Sequence, residues 1–449
     1  MSDIGIIETE FEKMPQEWGL TTLENLDLFS YISGLWMGKK PPLVPAKVIR
    51  NTNFNNDGSI DYSDVAYLQV EDRHLCEKEL KHGDIIIERS GGGPSQPVGR
   101  VVYFDRTEKG YSFSNFTSTL RVLKQEKVYS KFLLYYLLLF YLEGSTLTLQ
   151  QKTTGIRNLN FSDYKKSPIP LPPLPEQKKI AAILSKIQQA IEVQDKIIER
   201  TKELKNALMA KLFTEGLHGE ELKETEIGLM PKSWDVATVG SLAIDGIMNG
   251  AFVKNPHWGT GTRFLNVVDT YGSEQVDVNS LMRLEVGDEY RENYALRDKD
   301  VLFVRSSLKE EGIGQACFVD GLAEPVIYDC HLMRISPNLD VVDPSYLVLY
   351  CLTEQAKKGL ISKSNKTTMT TINQKGLSDF PVPLALLREQ KEIVHVAESL
   401  NATRSVHQSK LITLQGLFKS MLHQLMTGKI RVNNIELPFI NEQMGATNV

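Results

Sequence analysis

Two short polar stretches hold the side chains best suited to chemistry in this 449-residue chain. Residues 150–158 read Gln-Gln-Lys-Thr-Thr-Gly-Ile-Arg-Asn, and residues 363–368 read Lys-Ser-Asn-Lys-Thr-Thr. Such side chains pair with the base edges and phosphate oxygens of a nucleic acid. Lys152, Thr154, Arg157 and Asn158 in the first, and Lys363, Lys366 and Thr368 in the second, are therefore candidate contacts. Either stretch alone also fits a solvated loop. An Arg-Ser pair ends each of two matching apolar runs, as Arg89-Ser90 and Arg305-Ser306, and Lys39, Lys40 and Lys309 complete the candidate set. Ser90 opens a Ser-Gly-Gly-Gly-Pro run whose backbone N–H groups could cradle a phosphate. The matching run is Ser306-Ser307-Leu308-Lys309, without those glycines, so a turn after the strand is expected.

Catalytic patterns are absent from the sequence. It contains no phosphate-binding GxxxxGK[ST] loop, no HExxH, no GxSxG, no EF-hand pattern and no Asn-Pro-Pro-Tyr or Asp-Pro-Pro-Tyr tetrapeptide. The four cysteines (Cys76, Cys317, Cys330, Cys351) form no CxxC pair, so no metal site is expected and reduced thiols are. The longest apolar run, residues 132–142, falls short of the roughly 20 residues of a membrane span, and the N-terminus lacks signal-peptide character. A cytoplasmic protein is the expectation.

These candidates are positioned by a chain written twice. Met14-Pro15-Gln16-Glu17-Trp18 returns as Met230-Pro231-Lys232-Ser233-Trp234. The run ending in Arg89-Ser90 returns at Arg305-Ser306, Ser162-Asp163-Tyr164 at Ser378-Asp379-Phe380, and Glu176-Gln177-Lys178 at Glu389-Gln390-Lys391. So long a period marks a duplicated domain. Each copy carries short strand signals, such as Ile85-Ile86-Ile87 and Val301-Leu302-Phe303-Val304, then a proline-rich segment, then a helix. The prolines of residues 168–175 predict a stiff, extended arm, shortened in the second copy to Pro381-Val382-Pro383.

After each arm the apolar period becomes that of a coiled-coil seam. The first seam runs through Ile180, Leu184, Ile187, Ile191, Gln194, Ile198, Thr201, Lys205, Leu208 and Leu212. The second runs through Ile393, Ala397, Leu400, Arg404, His407, Leu411, Leu414, Phe418, Met421 and Leu425. Each helix would be roughly 57 Å long at about 1.5 Å per residue. Both seams turn polar near the middle, so antiparallel pairing would let polar groups meet polar groups. The fold class expected is α+β: two mixed α/β domains joined by two long helices in an antiparallel coiled coil, an internal pseudo-two-fold repeat. Its boundaries are 1–172 and 217–384 for the domains, 173–216 and 385–430 for the helices, and 431–449 for a tail.

Net charge is −5, unevenly placed. Residues 176–213 hold eight basic and five acidic side chains, residues 384–430 six and three, and the linker 215–226 five glutamates and one lysine. Local basic patches on an acidic whole suit a protein that sits on DNA beside a more basic partner.

The pattern resembles the specificity (S) subunits of type I restriction-modification systems. The resemblance rests on Pro-Ile-Pro-Leu-Pro-Pro-Leu-Pro-Glu-Gln at 168–177, the helix that follows, the second copy at 381–390, and Leu-Met-Thr-Gly-Lys-Ile-Arg-Val at 425–432. Leu384-Ala385-Leu386-Leu387-Arg388 departs from it by replacing the second proline-rich hinge. The resemblance implies two target recognition domains, each reading half of a bipartite site in double-stranded DNA. It implies that the paired helices set the spacer and dock two modification (M) methyltransferase subunits, with restriction (R) subunits able to join. The chain itself would be non-catalytic and hold no cofactor. S-adenosylmethionine would serve the modification subunits, and ATP and Mg2+ a restriction subunit. Other readings are the specificity subunit of a different multi-subunit DNA-modification or phage-defence system, and a rod-like scaffold that binds no DNA.

Overall fold

A computed structural model describes residues 15–38, 40–93, 96–153, 156–254, 256–366, 368–433 and 435–436. The chain forms two compact units, one of residues 1–194 with 410–449, the other of residues 195–409. The division falls within both long helices, so each unit holds the start of one and the end of the other.

The units repeat the same sheets in the same order. In the first, a four-stranded antiparallel sheet runs Phe29–Ser33, Thr117–Val122, Ile85–Glu88, Val101–Tyr103. In the second it runs Met248–Asn249, Leu332–Ile335, Val301–Val304, Ala316–Phe318. One central strand of each sheet, Ile85–Glu88 or Val301–Val304, is apolar at nearly every position because both faces are covered. Ile85 and Ile87 face one core and Ile86 another; Val301 and Phe303 face one and Leu302 and Val304 another. Side chains alternate across a strand, so only a continuous apolar run satisfies both cores. Beside it lies a three-stranded sheet with one parallel pairing, Leu43–Ile49 with Tyr111–Phe113 and Trp258–Leu265 with Val326–Tyr328. The apolar run at 132–142 is a buried helix, Ser130–Leu142, answered by Pro344–Cys351.

The proline-rich arm is not free-standing. Pro168–Leu171 is a strand, antiparallel to Gly19–Thr22, and Pro381–Leu384 pairs likewise with Asp235–Thr238. Leu174 and Pro175 already belong to the first long helix, Leu174–Glu215. Proline fits there because the first turn has no intrahelical use for its missing N–H. Only Pro172 and Pro173 separate strand from helix.

The second long helix is Leu387–Met426. In the first unit Ile180, Ala181, Leu184 and Ile191 are buried with Phe418, Leu422, Leu425 and Met426. In the second, Met209, Leu212 and Phe213 are buried with Ile393, Val394 and Ala397. The start of one helix therefore lies against the end of the other within each unit, which is antiparallel packing. Ile187, Ile198, Leu208, Leu400, Leu411, Leu414 and Met421 are half-buried, and no predicted seam residue is exposed. Burial is deepest at the helix ends, where the globular parts add their own apolar surface, and shallower around Gln194, Thr201, Arg404 and His407.

The repeated tryptophan and the repeated Glu-Gln meet at those ends. Trp18 Nε1 donates to buried Glu176 (3.2 Å), whose oxygens also accept from Arg431 Nε (2.8 Å) and Nη2 (3.0 Å). Trp234 Nε1 donates to Glu389 (2.8 Å), which also takes the Leu217 N–H (3.1 Å). Gln177 accepts from Tyr129 N and donates to the Lys127 and Pro172 carbonyls; Gln390 accepts from Asp343 N and donates to the Val341 and Ala385 carbonyls. The helix-ending glycines, Gly216 (φ 67°) and Gly428 (φ 70°), lie under Pro231 and Pro15, where a Cβ would come within 2.8 and 2.6 Å of the proline rings.

Lys205, a seam position, is buried in an ion pair with Glu274 and donates to Asn401 Oδ1 (2.9 Å), while Asn401 Nδ2 donates to Glu274 (2.8 Å). Burial pushes the Glu274 carboxyl up, but Lys205 and Asn401 override it and hold it below the usual carboxylate range.

Two outcomes are expected. Glu389→Ala orphans one buried and one half-buried donor and should cost about 2–4 kcal/mol in urea unfolding, whereas Glu389→Gln, which keeps an acceptor, should cost about half as much; equal costs would show that the carboxylate oxygens are not what holds Trp234. Lys205→Met leaves Glu274 without its cation and should cost about 3–5 kcal/mol. Because the folded Glu274 pKa is depressed, its stabilisation is present above the unfolded pKa of about 4.3 and is lost as pH falls through the folded value. The variant should therefore lose part of the stability that the wild type gains as pH rises to about 4.3, measured by thermal unfolding against pH.

Candidate nucleic-acid interface

Ser90 does not open a turn. Ser90–Gly92 is a strand, and it pairs with Ile156–Leu159, which pairs with Gln150–Thr153. Asn158 stands opposite Ser90 and Arg157 opposite Gly92. The second unit repeats this small sheet: Ser306 and Ser307 stand opposite Thr371 and Thr370, and Thr370 opposite Lys366. The Arg-Ser ends and the polar stretches, distant in sequence, are thus neighbouring strands of one sheet in each unit. Ser306 Oγ and Thr371 Oγ1 are 3.2 Å apart, and Arg157 Nη1 donates weakly to Gln150 Oε1 at 3.4 Å.

The other predicted residues are distributed as follows. Lys152 lies on the strand Gln150–Thr153, while Lys39 and Thr154 lie outside the described residues. Lys363, Lys366 and Thr368 are exposed at the tip of the second sheet, with Lys366 3.3 Å from Glu310. Lys309 is exposed just before the short turn Glu310–Gly312. Lys40 is exposed beside the strand Leu43–Ile49, away from the small sheet in sequence and pairing. Arg89 turns inward: it packs over the Phe161 ring (4.6 Å) and donates to Ser118 Oγ (3.2 Å), and burial lowers its pKa. Arg305 Nε is buried without a partner among the described residues. Arg89 therefore anchors its strand through Phe161 and Ser118.

Support beneath the first sheet was not visible in the sequence. Buried Glu88 receives Arg100 through two bonds of 2.9 Å, and Arg100 also donates to the Phe54 and Asn51 carbonyls. Asn51 Nδ2 closes the network on Glu88 (2.8 Å) and on the Ser90 carbonyl (2.7 Å). The one available signal was an arginine at the start of an apolar run, Arg100-Val101-Val102. Gly92 is needed for packing, since a Cβ there would meet Val98 Cγ1 at 2.7 Å.

Among the described residues, one cluster has the donor set of a metal site. Single ligand atoms of Asp329, Cys330 and His331 all lie within 4.8 Å of one another. The Asp329 carboxylate is already engaged by the His331 N–H (2.7 Å) and ring (2.8 Å), and burial pushes the Cys330 thiol up. These bonds account for the cluster as a turn.

The two repeated segments of the chain match a known family. Residues 23–203 and 231–415 match the family described as type I restriction modification DNA specificity domain. The chain belongs to this family. It carries the domain twice, on the two segments that repeat in sequence and structure. The chain is 25% identical over 435 residues to the MjaVIII type I restriction enzyme specificity subunit of Methanocaldococcus jannaschii, covering 94% of this chain and 95% of that one. It is 23% identical over 439 residues to the EcoKI specificity subunit of Escherichia coli K12, covering 93% and 90%. The fold is similar to that of the S subunit from M. genitalium (TM-score 0.52, 16% identity, 92% and 98% covered). It is also similar to a chain from a study of assembly and conformational transition in a type I system (TM-score 0.57, 16% identity, 93% and 99% covered). Among the described residues no helix is long and apolar enough to cross a membrane.

Arg100→Met should destabilise the first unit by about 3–5 kcal/mol by leaving Glu88 buried and unpaired. Hydrogen exchange should show faster opening of residues 88–92 with residues 304–307 unchanged; equal loosening of both segments would contradict this assignment.

Proposed function

We propose that this chain is the DNA-reading subunit of a type I restriction-modification complex, each unit reading one half of a bipartite target. The observation that carries this reading is the small sheet repeated in both units with the same scaffold and different polar residues. Gln150, Arg157, Asn158 and Ser90 lie in one sheet; Ser306, Lys366 and Thr371 lie in the other. A duplicated frame with unlike reading residues suits an asymmetric two-part sequence, because base identity is read by side-chain donors and acceptors while the frame only positions them.

The long helices set the spacer between half-sites and dock two modification subunits. Methyl transfer belongs to those subunits and uses their S-adenosylmethionine; restriction subunits, where present, bring ATP- and Mg2+-dependent cleavage. This chain contributes no reacting group, and its part is recognition and geometry.

Co-expression with the cognate modification subunit, followed by methylome sequencing of host DNA, tests the reading. A bipartite motif with a fixed gap is expected, and Lys152→Ala with Arg157→Ala should relax one half of it, at about 1–3 kcal/mol per lost base contact. Methylation independent of this chain would overturn the proposal.

A further inference from the structure

Outside the small sheets, each unit exposes one aromatic side chain at the same place in the repeat. Trp36 is 74% exposed and Phe252 is 71% exposed, and their positions differ by the same 216 residues that separate Trp18 from Trp234. Isolated exposed apolar residues are common and need no explanation. Here the placement is held by identical backbone contacts in both units, which makes chance a poor account.

In the first unit Leu35 N donates to the Phe113 carbonyl (2.8 Å) and the Leu35 carbonyl accepts from Asn115 N (3.0 Å). In the second, Ala251 N donates to the Tyr328 carbonyl (2.8 Å) and the Ala251 carbonyl accepts from Cys330 N (3.0 Å). Leu35 and Ala251 are buried, and the glycines before them, Gly34 and Gly250, are pressed so closely on the Ser114 and Asp329 carbonyls that neither has room for a Cβ. The next residue is then turned outward in each case. The segment that holds it also holds the reading sheet: the Phe116 carbonyl accepts from Arg89 N (2.9 Å) and Ser90 N (3.1 Å), and the His331 carbonyl accepts from Arg305 N (2.8 Å). The aromatic and the Arg-Ser strand thus flank one three-residue bridge, 114–116 or 329–331. An exposed lysine follows each aromatic closely, Lys40 and Lys254.

We propose that Trp36 and Phe252 are the stacking contacts of the two reading surfaces, each packing against the base stack of its own half-site while the adjacent sheet reads base edges. This rests on the DNA-reading function proposed above and names the residues that would grip the duplex. An aromatic side chain offers a flat apolar face to any base, and apolar wedges enter base steps at the cost of partial unstacking. The neighbouring lysine supplies the positive charge that a phosphate backbone requires. Rigid seating on a buried neighbour and a glycine without side-chain room keeps the ring presented without a folding penalty at binding.

The test uses the full chain in complex with its modification subunits and a duplex carrying the motif that the wild-type complex methylates, with 2-aminopurine placed in turn in each half-site. Trp36→Ala should weaken binding about 5- to 150-fold and remove the fluorescence change in one half-site only. Phe252→Ala should do the same in the other, and Trp36→Phe should retain most of both signals. Thermal unfolding should be unchanged in all three, since the rings are exposed. Wild-type affinity and fluorescence in both alanine variants would overturn the proposal while leaving the DNA-reading function intact. Loss of complex assembly with the modification subunits would overturn it by assigning the rings to a protein interface. A wild-type complex that methylates no motif would instead remove the function on which the proposal stands.

Discussion

A buried carboxylate in the first turn of each long helix is the constraint on which the architecture depends. Glu176 and Glu389 sit where a helix presents unpaired N–H groups and a positive dipole end, surroundings that favour negative charge. Each takes the indole N–H of a tryptophan from the start of a globular copy. Each is also tied to the chain just beyond the end of the other long helix, through Arg431 in one unit and Leu217 in the other. A single side chain therefore joins three segments. The glutamine beside it closes the N-terminus of the buried helix, so the dipeptide sets helix, sheet and chain ends together.

With the frame held at the helix ends, the small sheets are free to differ. The first is underpinned by the Glu88–Arg100 pair, whereas the equivalent of Glu88 is Val304, packed in an apolar core. A buried ion pair and an apolar cluster can support the same strand because each satisfies its own groups; what neither tolerates is half of the other. The edges above them carry unlike polar residues for the same reason. Nothing in the scaffold depends on which donor or acceptor faces outward.

Much of this was legible along the chain. The seam residues from Ile180 to Leu212 and from Ile393 to Leu425 are buried or half-buried as their spacing requires, because a stripe every three to four residues has only one dry environment open to it. Strands such as Ile85–Glu88 and Val301–Val304 were legible because continuous β-branched and aromatic runs resist other uses. The proline arm was misjudged at its edges. Pro168–Leu171 needs a partner that lies far away in sequence, and a proline at a helix start looks like a breaker until the helix is seen.

The sequence by itself determined the duplication, the long helices, their antiparallel preference and the family, since these follow from periodicity and from motifs that lie within short windows. The tertiary structure decided what the motifs do. That Ser90 is a strand residue facing Asn158, that Arg89 packs over Phe161, and that Trp36 and Phe252 stand exposed are all matters of long-range pairing. Pairing between segments 60 or more residues apart leaves no local period to read. It is fixed only when buried polar groups and backbone donors across the whole unit must all find partners at once.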